Sequence, residues 1–342
     1  MHRARARYDE RRLFKAQNLT QYYNTMRNMK SKRDKMPSIQ VPGGQRITDS
    51  IAKAEIFLDQ YTLDPKHAHP PNLGPLMEQN GGLRTVPMTV EEVKESIKNL
   101  SNSHAVGEDK VSNRHLKNGG EELNKSLCLL FKFSMENKTL ADIWRLSTVT
   151  PLYKGKGSRH EAKNYRPISI TSCVLKCLEG IILKYLRLHL EEGNYLPEHQ
   201  DGFREKRSTI TSLFKHINQI HQLLNDGKGA VTILLDMSKA FDSVPVWGFA
   251  QRLKECGVGG DVAMWMMDWM MNREQQVLVD GSVSARRQVH VGLPQGTKLS
   301  PTGWLLFSGA IYDNLPDSVK TLMFADRSEE HTSELQSHSD LV

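Results

Sequence analysis

Asp236 and Asp326 each follow a short apolar run, residues 231–235 and 320–325, and lie 90 positions apart. A carboxylate at the end of a buried strand sits at a sheet edge, and two such strands can bring two carboxylates together. That pair can hold two hard divalent cations about 3.5–4 Å apart, which activate a hydroxyl as a nucleophile and neutralise a departing pyrophosphate. Taken singly, an Asp after a strand is more often a helix N-cap or a turn residue. The weight therefore falls on the residues around the two aspartates.

Positioning them takes strands with helices to back them. Residues 231–235 form a continuous β-rich apolar run, the pattern of a buried strand, and 320–325 read as a second one. Residues 276–279 and 283–289 flank Asp280-Gly281, a strong hairpin signal. Residues 246–255, 262–271 and 299–315 have helical spacing, with Trp265, Met266 and Trp269 read as core packing rather than a base-stacking surface. Upstream, 147–153 predicts a strand, and 123–133, 174–190 and 210–224 predict amphipathic helices. Thr89 and Glu92 have the spacing of a capping box opening a helix that runs to about residue 100. Residues 8–35 are basic and predict a helix, 51–61 are amphipathic, and the Pro/Gly/Asn-rich residues 64–87 read as a surface linker.

The chain has 342 residues with 38% hydrophobic and 25% charged, the balance of a globular protein with room for two or three subdomains. Its four cysteines form no Cys-x-x-Cys pair, which argues for a reducing compartment and against a disulfide framework or structural zinc. Cys173 and Cys177, one helical turn apart, read as small apolar residues. No apolar stretch approaches the ~20 residues that span a bilayer, and the charged start is unlike a signal peptide. The formal net charge of +7 favours a polyanionic partner, with basic residues gathered in 3–35 and 154–166. Residues 327–342 carry no apolar periodicity and resemble translated sequencing-adapter text. Setting aside their one arginine and four acids raises the balance from +7 to +10.

Six sequence words then stand in order between residues 88 and 326. Leu234-Leu235-Asp236-Met237-Ser238-Lys239-Ala240-Phe241-Asp242 resembles the first palm motif of reverse transcriptases, and Gly292-Leu293-Pro294-Gln295-Gly296-Thr297 resembles the next. Phe324-Ala325-Asp326 resembles the start of the Phe/Tyr-Ala-Asp-Asp box, with Arg327 where the second Asp would stand. Residues 144–156 with Asn164-Tyr165-Arg166-Pro167-Ile168-Ser169 resemble the fingers motif, and Gln200-Asp201-Gly202-Phe203-Arg204 with Arg207 the template-side motif. Residues 97–116 resemble the N-terminal extension of retrotransposon and group II intron enzymes. Thr302-Gly303-Trp304 departs from the compact apolar residues usual after Pro301.

The resemblance is to the reverse transcriptase of non-long-terminal-repeat retrotransposons. It implies an α/β (α+β) right-hand polymerase with fingers and palm, the palm an antiparallel sheet backed by helices, and the thumb absent. Residues 1–87 would be a basic helical segment and linker, 88–228 the N-terminal extension and fingers, 229–326 an incomplete palm, and 327–342 the non-native tail. Asp236, Asp326 and the Met237 carbonyl would hold two Mg²⁺, with Mn²⁺ as an alternative. Lys154, Arg166, Met237, Phe241, Gln295 and Gly296 would receive the deoxynucleotide, Phe241 excluding ribonucleotides. Gly202, Phe203, Arg204 and Arg207 would meet the template. The expected partners are an RNA template, a DNA primer or duplex and a deoxynucleotide, without a membrane, inside a retrotransposon ribonucleoprotein in nucleus or cytoplasm. Two other readings stand beside this one: a catalytically dead RNA-binding fragment, suggested by Arg327, and an RNA-dependent RNA polymerase, opposed by Phe241.

Overall fold

The Asp49 carboxylate accepts from Ala52 N at 2.8 Å and so opens helix α1 (Ser50–Tyr61), just after the short ladder of β1 (Ile39–Gln40) and β2 (Arg46–Ile47). The structure, a computed structural model, describes residues 35–62, 71–78, 81–103, 105–235, 237, 239–309 and 319–325. The helices that follow are α2 (Gly74–Glu78), α3 (Val90–Lys98) and α4 (Gly120–Glu136), and then come strands β3 (Leu146–Tyr153) and β4 (Tyr165–Ile170). Helices α5 (Cys173–Glu192), α6 (Thr209–Asn225), α7 (Val246–Glu255) and α8 (Gly260–Met270) lead to β5 (Arg273–Val279), β6 (Ser282–Val283) and β7 (Arg287–Val289). Helix α9 (Ser300–Gly309) comes last. The expected basic helix at 8–35 and the tail at 327–342 lie outside the described residues, apart from Lys35.

The sheet is mixed, where the resemblance implied an antiparallel sheet for the palm. Its order is β4-β3-β5-β6, with β7 also on β5; β3 pairs antiparallel with β4 and parallel with β5. A parallel pair needs a long crossover, and the helices between β3 and β5 supply one. The hairpin expected in the palm therefore shares a sheet with the strand expected in the fingers. Asp280 (φ +51°) and Gly281 (φ +88°) make the tight turn between β5 and β6, as Asp-Gly predicts. The return arm is broken into β6 and β7 because Ser284 turns inward, its hydroxyl accepting from Val277 N.

Two apolar cores form. The larger joins α5 to α8, α9 and the α3–α4 helices around Trp265, Trp269 and Trp304, all buried, as read for the first two. Cys173 and Cys177 are buried in it, and burial pushes the Cys177 thiol up to about 12. The smaller packs α1 on the sheet through Phe57, Leu58, Val149, Tyr165, Val277 and Val279. Phe57 meets Tyr165 edge-on at 5.2 Å.

Several local expectations change. Thr89 caps α3 by accepting from Glu92 N at 3.2 Å, but the Glu92 carboxylate turns to Lys184 and Tyr185 on α5 instead of reaching back. The surface linker at 64–87 contains α2, whose Leu76 is buried, and Leu83 pairs with Val258. Residues 231–235 form no strand. Among the described residues no strand pairs with them, and Val231 and Ile233 are 91% and 77% exposed. A β-rich run needs a neighbour to satisfy its backbone before it can become a strand. Of 320–325 only an isolated parallel bridge, Gln200 to Met323, is formed. Helix α9 is described from Ser300 to Gly309, and residues 310–315 of the expected helix lie outside the described residues.

Candidate nucleotide-binding site

Asp236 and Asp326, the two expected metal ligands, lie outside the described residues, but the chain beside each is described. Trp304 of α9 links those neighbours. Its indole stacks on Phe241 with ring centroids 5.6 Å apart, and its Nε1–H donates to the Ala325 carbonyl at 3.0 Å. The departure at Trp304 thus joins the first palm motif to the residue before Asp326. Phe203 closes the same cluster, meeting Phe241 edge-on at 6.0 Å.

Ala325 is held in the left-handed region at φ +56°. Gln200 clamps it: Oε1 accepts from Ala325 N and from Gly202 N, while Nε2 donates to the Ala325 carbonyl. Gly202 leaves room for this approach, since a Cβ there would sit 2.0 Å from Ala325 N. Asp201 N donates to Met323 O at 2.9 Å, so the template-side word and the catalytic-box word lie alongside each other.

Gln295 and Gly296 sit between β4 and the turn Phe241–Ser243. The Gln295 carbonyl accepts from Ser169 N at 2.8 Å, and Gln295 Nε2 donates to Asp242 Oδ1 at 2.9 Å. Gly296 has φ +109°, and a Cβ there would lie 2.8 Å from Ser169 O. The loop is anchored further by Glu179, fully buried on α5, which accepts from Lys298 N and from Trp269 Nε1. Burial holds the Glu179 carboxyl above its ordinary range, against those hydrogen bonds and the Lys176 and Lys298 charges.

Asp242 lines a cleft with Tyr61, Arg273, Gln275, Pro294 and Gln295. Burial pushes its carboxyl up, opposed by the Gln295 hydrogen bond and by Lys239, Arg273 and Lys154. Burial pushes the Arg273 guanidinium down to about 10, opposed by Asp242. Arg273 donates to the carbonyls of Met270, Val291 and Gly292, which fixes the approach to Gln295. Among the described residues the buried Tyr61 hydroxyl has no hydrogen-bond partner, and burial and then Asp242 raise its pKa.

The remaining expected residues divide. Lys154 follows β3, its ammonium donating to Lys163 O at 2.7 Å, close enough to bear on Asp242. Arg166 lies half-buried on β4 opposite Leu152. Met237 is half-buried against the larger core. Arg204 and Arg207 are engaged within the protein: Arg204 with Glu191 and the Pro197 carbonyl, Arg207 with the buried Asp201 and the Glu198 carbonyl. Among the described residues no three His, Cys, Asp or Glu side chains gather to hold a metal ion, and no helix is long and apolar enough to cross a membrane. Sequence reasoning missed Asp242, Arg273, Glu179 and Tyr61. Only Asp242 carried a signal, an acid directly after Phe241 in the first palm-like word.

Residues 154–337 match the family described as reverse transcriptase (RNA-dependent DNA polymerase), a span that runs past Asp326 into the tail. The chain is 26% identical over 278 residues to the probable RNA-directed DNA polymerase from transposon BS of Drosophila melanogaster, covering 79% of this chain and 31% of that protein. It is 25% identical over 287 residues to the RNA-directed DNA polymerase from mobile element jockey of the same fly, covering 82% and 31%. It is 24% identical to the Pol polyprotein from the type-1 retrotransposable element R1 of Bradysia coprophila, covering 64% and 21%. The chain thus spans about a third of the length of the first two relatives. It belongs to the reverse transcriptase family, in the form carried by non-long-terminal-repeat retrotransposons.

Proposed function

We propose that the chain carries the nucleotide-addition site of an RNA-directed DNA polymerase. The primer 3′-hydroxyl attacks the α-phosphate of a deoxynucleotide and pyrophosphate leaves. Asp236, Asp326 and the Met237 carbonyl would hold two Mg²⁺, or Mn²⁺, which would activate the hydroxyl and offset the charge on the leaving group. Oxygen ligands suit such hard cations. The observation that carries the reading is the Trp304 bridge, since the segments next to both carboxylates meet on one indole.

Phe241 would bar a ribose 2′-hydroxyl from beside that bridge. Lys154 and Arg166 would neutralise the triphosphate, and Gln295 and Gly296 would line the sugar. In this reading β3 and β4 belong to the fingers within 88–228, and 229–326 supply the palm. The pairing of β5 with β3 favours assigning the 273–289 hairpin to the fingers as well. Gly202 and Phe203 support the catalytic box from the template side. Arg204 and Arg207 brace that loop, and Lys156, Arg159 and Lys163 would add positive charge along the template.

A second reading is favoured by Arg327, which sets a cation where the family box has its second carboxylate. This chain would then bind RNA without extending a primer. Primer extension on an RNA template, run beside RNA binding across a salt series, separates the two. Salt-dependent binding with incorporation only after Arg327→Asp supports the parent activity and an inactive present chain. Incorporation by the unsubstituted chain overturns the dead-fragment reading, and absence of any RNA or nucleotide binding overturns both. In the active variant, Phe241→Ala should admit ribonucleotides; unchanged discrimination would reopen the RNA-dependent RNA polymerase reading.

A further inference from the structure

Helix α1 lies upstream of the residues that match the family, yet its last turn reaches the first palm-like word. It is pinned along the 273–289 hairpin. The Glu55 carboxylate accepts from Ala285 N at 2.6 Å, Asp59 accepts from Arg287 at 2.6 Å, and Gln275 Nε2 donates to Thr62 Oγ1 at 3.0 Å. Lys239 Nζ then donates to the Gln60 carbonyl at 3.3 Å, a cation at the helix end where the dipole favours one. The Tyr61 ring packs on the smaller core, its centroid 5.6 Å from that of Phe57, which keeps its hydroxyl in the cleft that Asp242 also lines.

A buried phenol ordinarily finds an acceptor, and this one has none among the described residues. Asp242 is the one carboxylate among the described residues that line the cleft. Its Oδ1 accepts from Gln295, while its Oδ2 accepts no hydrogen bond within those residues. A donor without a partner and an acceptor with capacity to spare therefore line one cleft. Burial disfavours the Asp242 carboxylate, and the Gln295 hydrogen bond and the Lys239, Arg273 and Lys154 charges offset it. Lys154 is also a residue assigned above to the triphosphate. A triphosphate that draws Lys154 toward itself leaves Asp242 short of one supporting charge, and the Tyr61 hydroxyl is the donor placed to replace it.

We propose that Tyr61 is a positioning residue whose hydroxyl pairs with the Asp242 carboxylate when a nucleoside triphosphate occupies the site, so that α1 becomes part of the loaded site. The inference rests on the polymerase reading and brings into it a helix that precedes the family match. Tyr61 meets no ligand itself and acts through Asp242.

The test sets the urea unfolding midpoint of the full 342-residue chain beside its affinity for dTTP and for inorganic triphosphate, each with Mg²⁺. Tyr61→Phe removes only the hydroxyl. The midpoint of the free chain holds or rises, because an unpaired buried donor is lost. Affinity for both ligands falls about three- to tenfold, the worth of one hydrogen bond. In a Lys154→Ala background the hydroxyl is already engaged, so Tyr61→Phe changes dTTP affinity by less than about twofold. A lowered midpoint overturns the inference, since the hydroxyl then has a structural partner in the free chain. Retained affinity in Tyr61→Phe, or a loss of the same size in the Lys154→Ala background, sinks the inference alone. An unsubstituted chain that binds neither dTTP nor triphosphate removes the polymerase reading and this inference with it.

Discussion

Helices α1 and α6 are both amphipathic, yet among the described residues only α1 has a covered face. Helix α1 buries Lys53, Ala54, Phe57 and Leu58 against the sheet. Helix α6 buries nothing, and Phe214 is 65% exposed beside Ile210, Leu213 and Ile217. Its first turn is as well built as that of α1, with Ser208 and Thr211 forming a reciprocal capping box. Local signals therefore make both helices, and the presence of a partner surface decides which one contributes to a core. Residues 231–235, just after α6, share its fate.

The largest expected break in this contrast is Phe57→Ala. It should cost about 3–5 kcal/mol, because an aromatic ring is removed from a filled core. Urea unfolding checks this through a lowered midpoint at unchanged slope. The same measurement on Phe214→Ala should give less than about 0.5 kcal/mol, the effect of an exposed site. A cost for Phe214→Ala like that of Phe57→Ala would mean that the α6 face is covered in solution.

Next in size is the ion pair that ties α1 to the β5–β6 turn. Lys53 Nζ lies 2.7 Å from Asp280 Oδ2, with side chains 3% and 13% exposed, and also donates to Met36 O. Lys53→Ala leaves Asp280 without its partner and should cost about 3 kcal/mol. Burial alone would raise the Asp280 carboxyl, but Lys53 and the Met36 N–H outweigh it and hold its pKa below the ordinary value. A depressed carboxylate stabilises the fold above its unfolded pKa and loses that contribution as pH falls through the folded one. The stability gap between the unsubstituted chain and Asp280→Asn should therefore be full at pH 7 and shrink below about pH 4. A gap that stays constant into acid would show that the pair has no such linkage.

The smallest effect is on Glu92, where one expected cap contact was exchanged for a tertiary one. Its bond to the exposed Lys184 has little weight, so Glu92→Gln should change stability by under about 1 kcal/mol. Melting temperature at two salt concentrations reads it.

Much of the fold was legible where local rules and packing agree. The Asp280-Gly281 turn, the cap at Thr89 and the tryptophans of α8 fall in this class. The misses have one physical source. Pairing direction and strand formation depend on what lies alongside, which a run such as 231–235 does not encode. The motif words identified Phe241, Gln295 and Gly296 as neighbours in one site. Of the residues that hold them, Asp242 showed only its place after Phe241, and Glu179 and Arg273 were not legible, because support depends on distant packing: Glu179 on α5 accepts from Lys298 N, 119 residues away. The resemblance gives Arg204 and Arg207 as template contacts, and in the fold each also has an acidic partner that only the folded loop supplies.

The central claim is that the aspartates at 236 and 326 act on one nucleotide through shared cations. Its most direct test is dTTP affinity measured with and without Mg²⁺ in the unsubstituted chain, Asp236→Asn and Asp326→Asn. Magnesium should tighten binding in the unsubstituted chain by tenfold or more, on the order of 1.4 kcal/mol, and either substitution should remove that gain. A magnesium gain that survives both substitutions, or is absent from the start, would contradict the account.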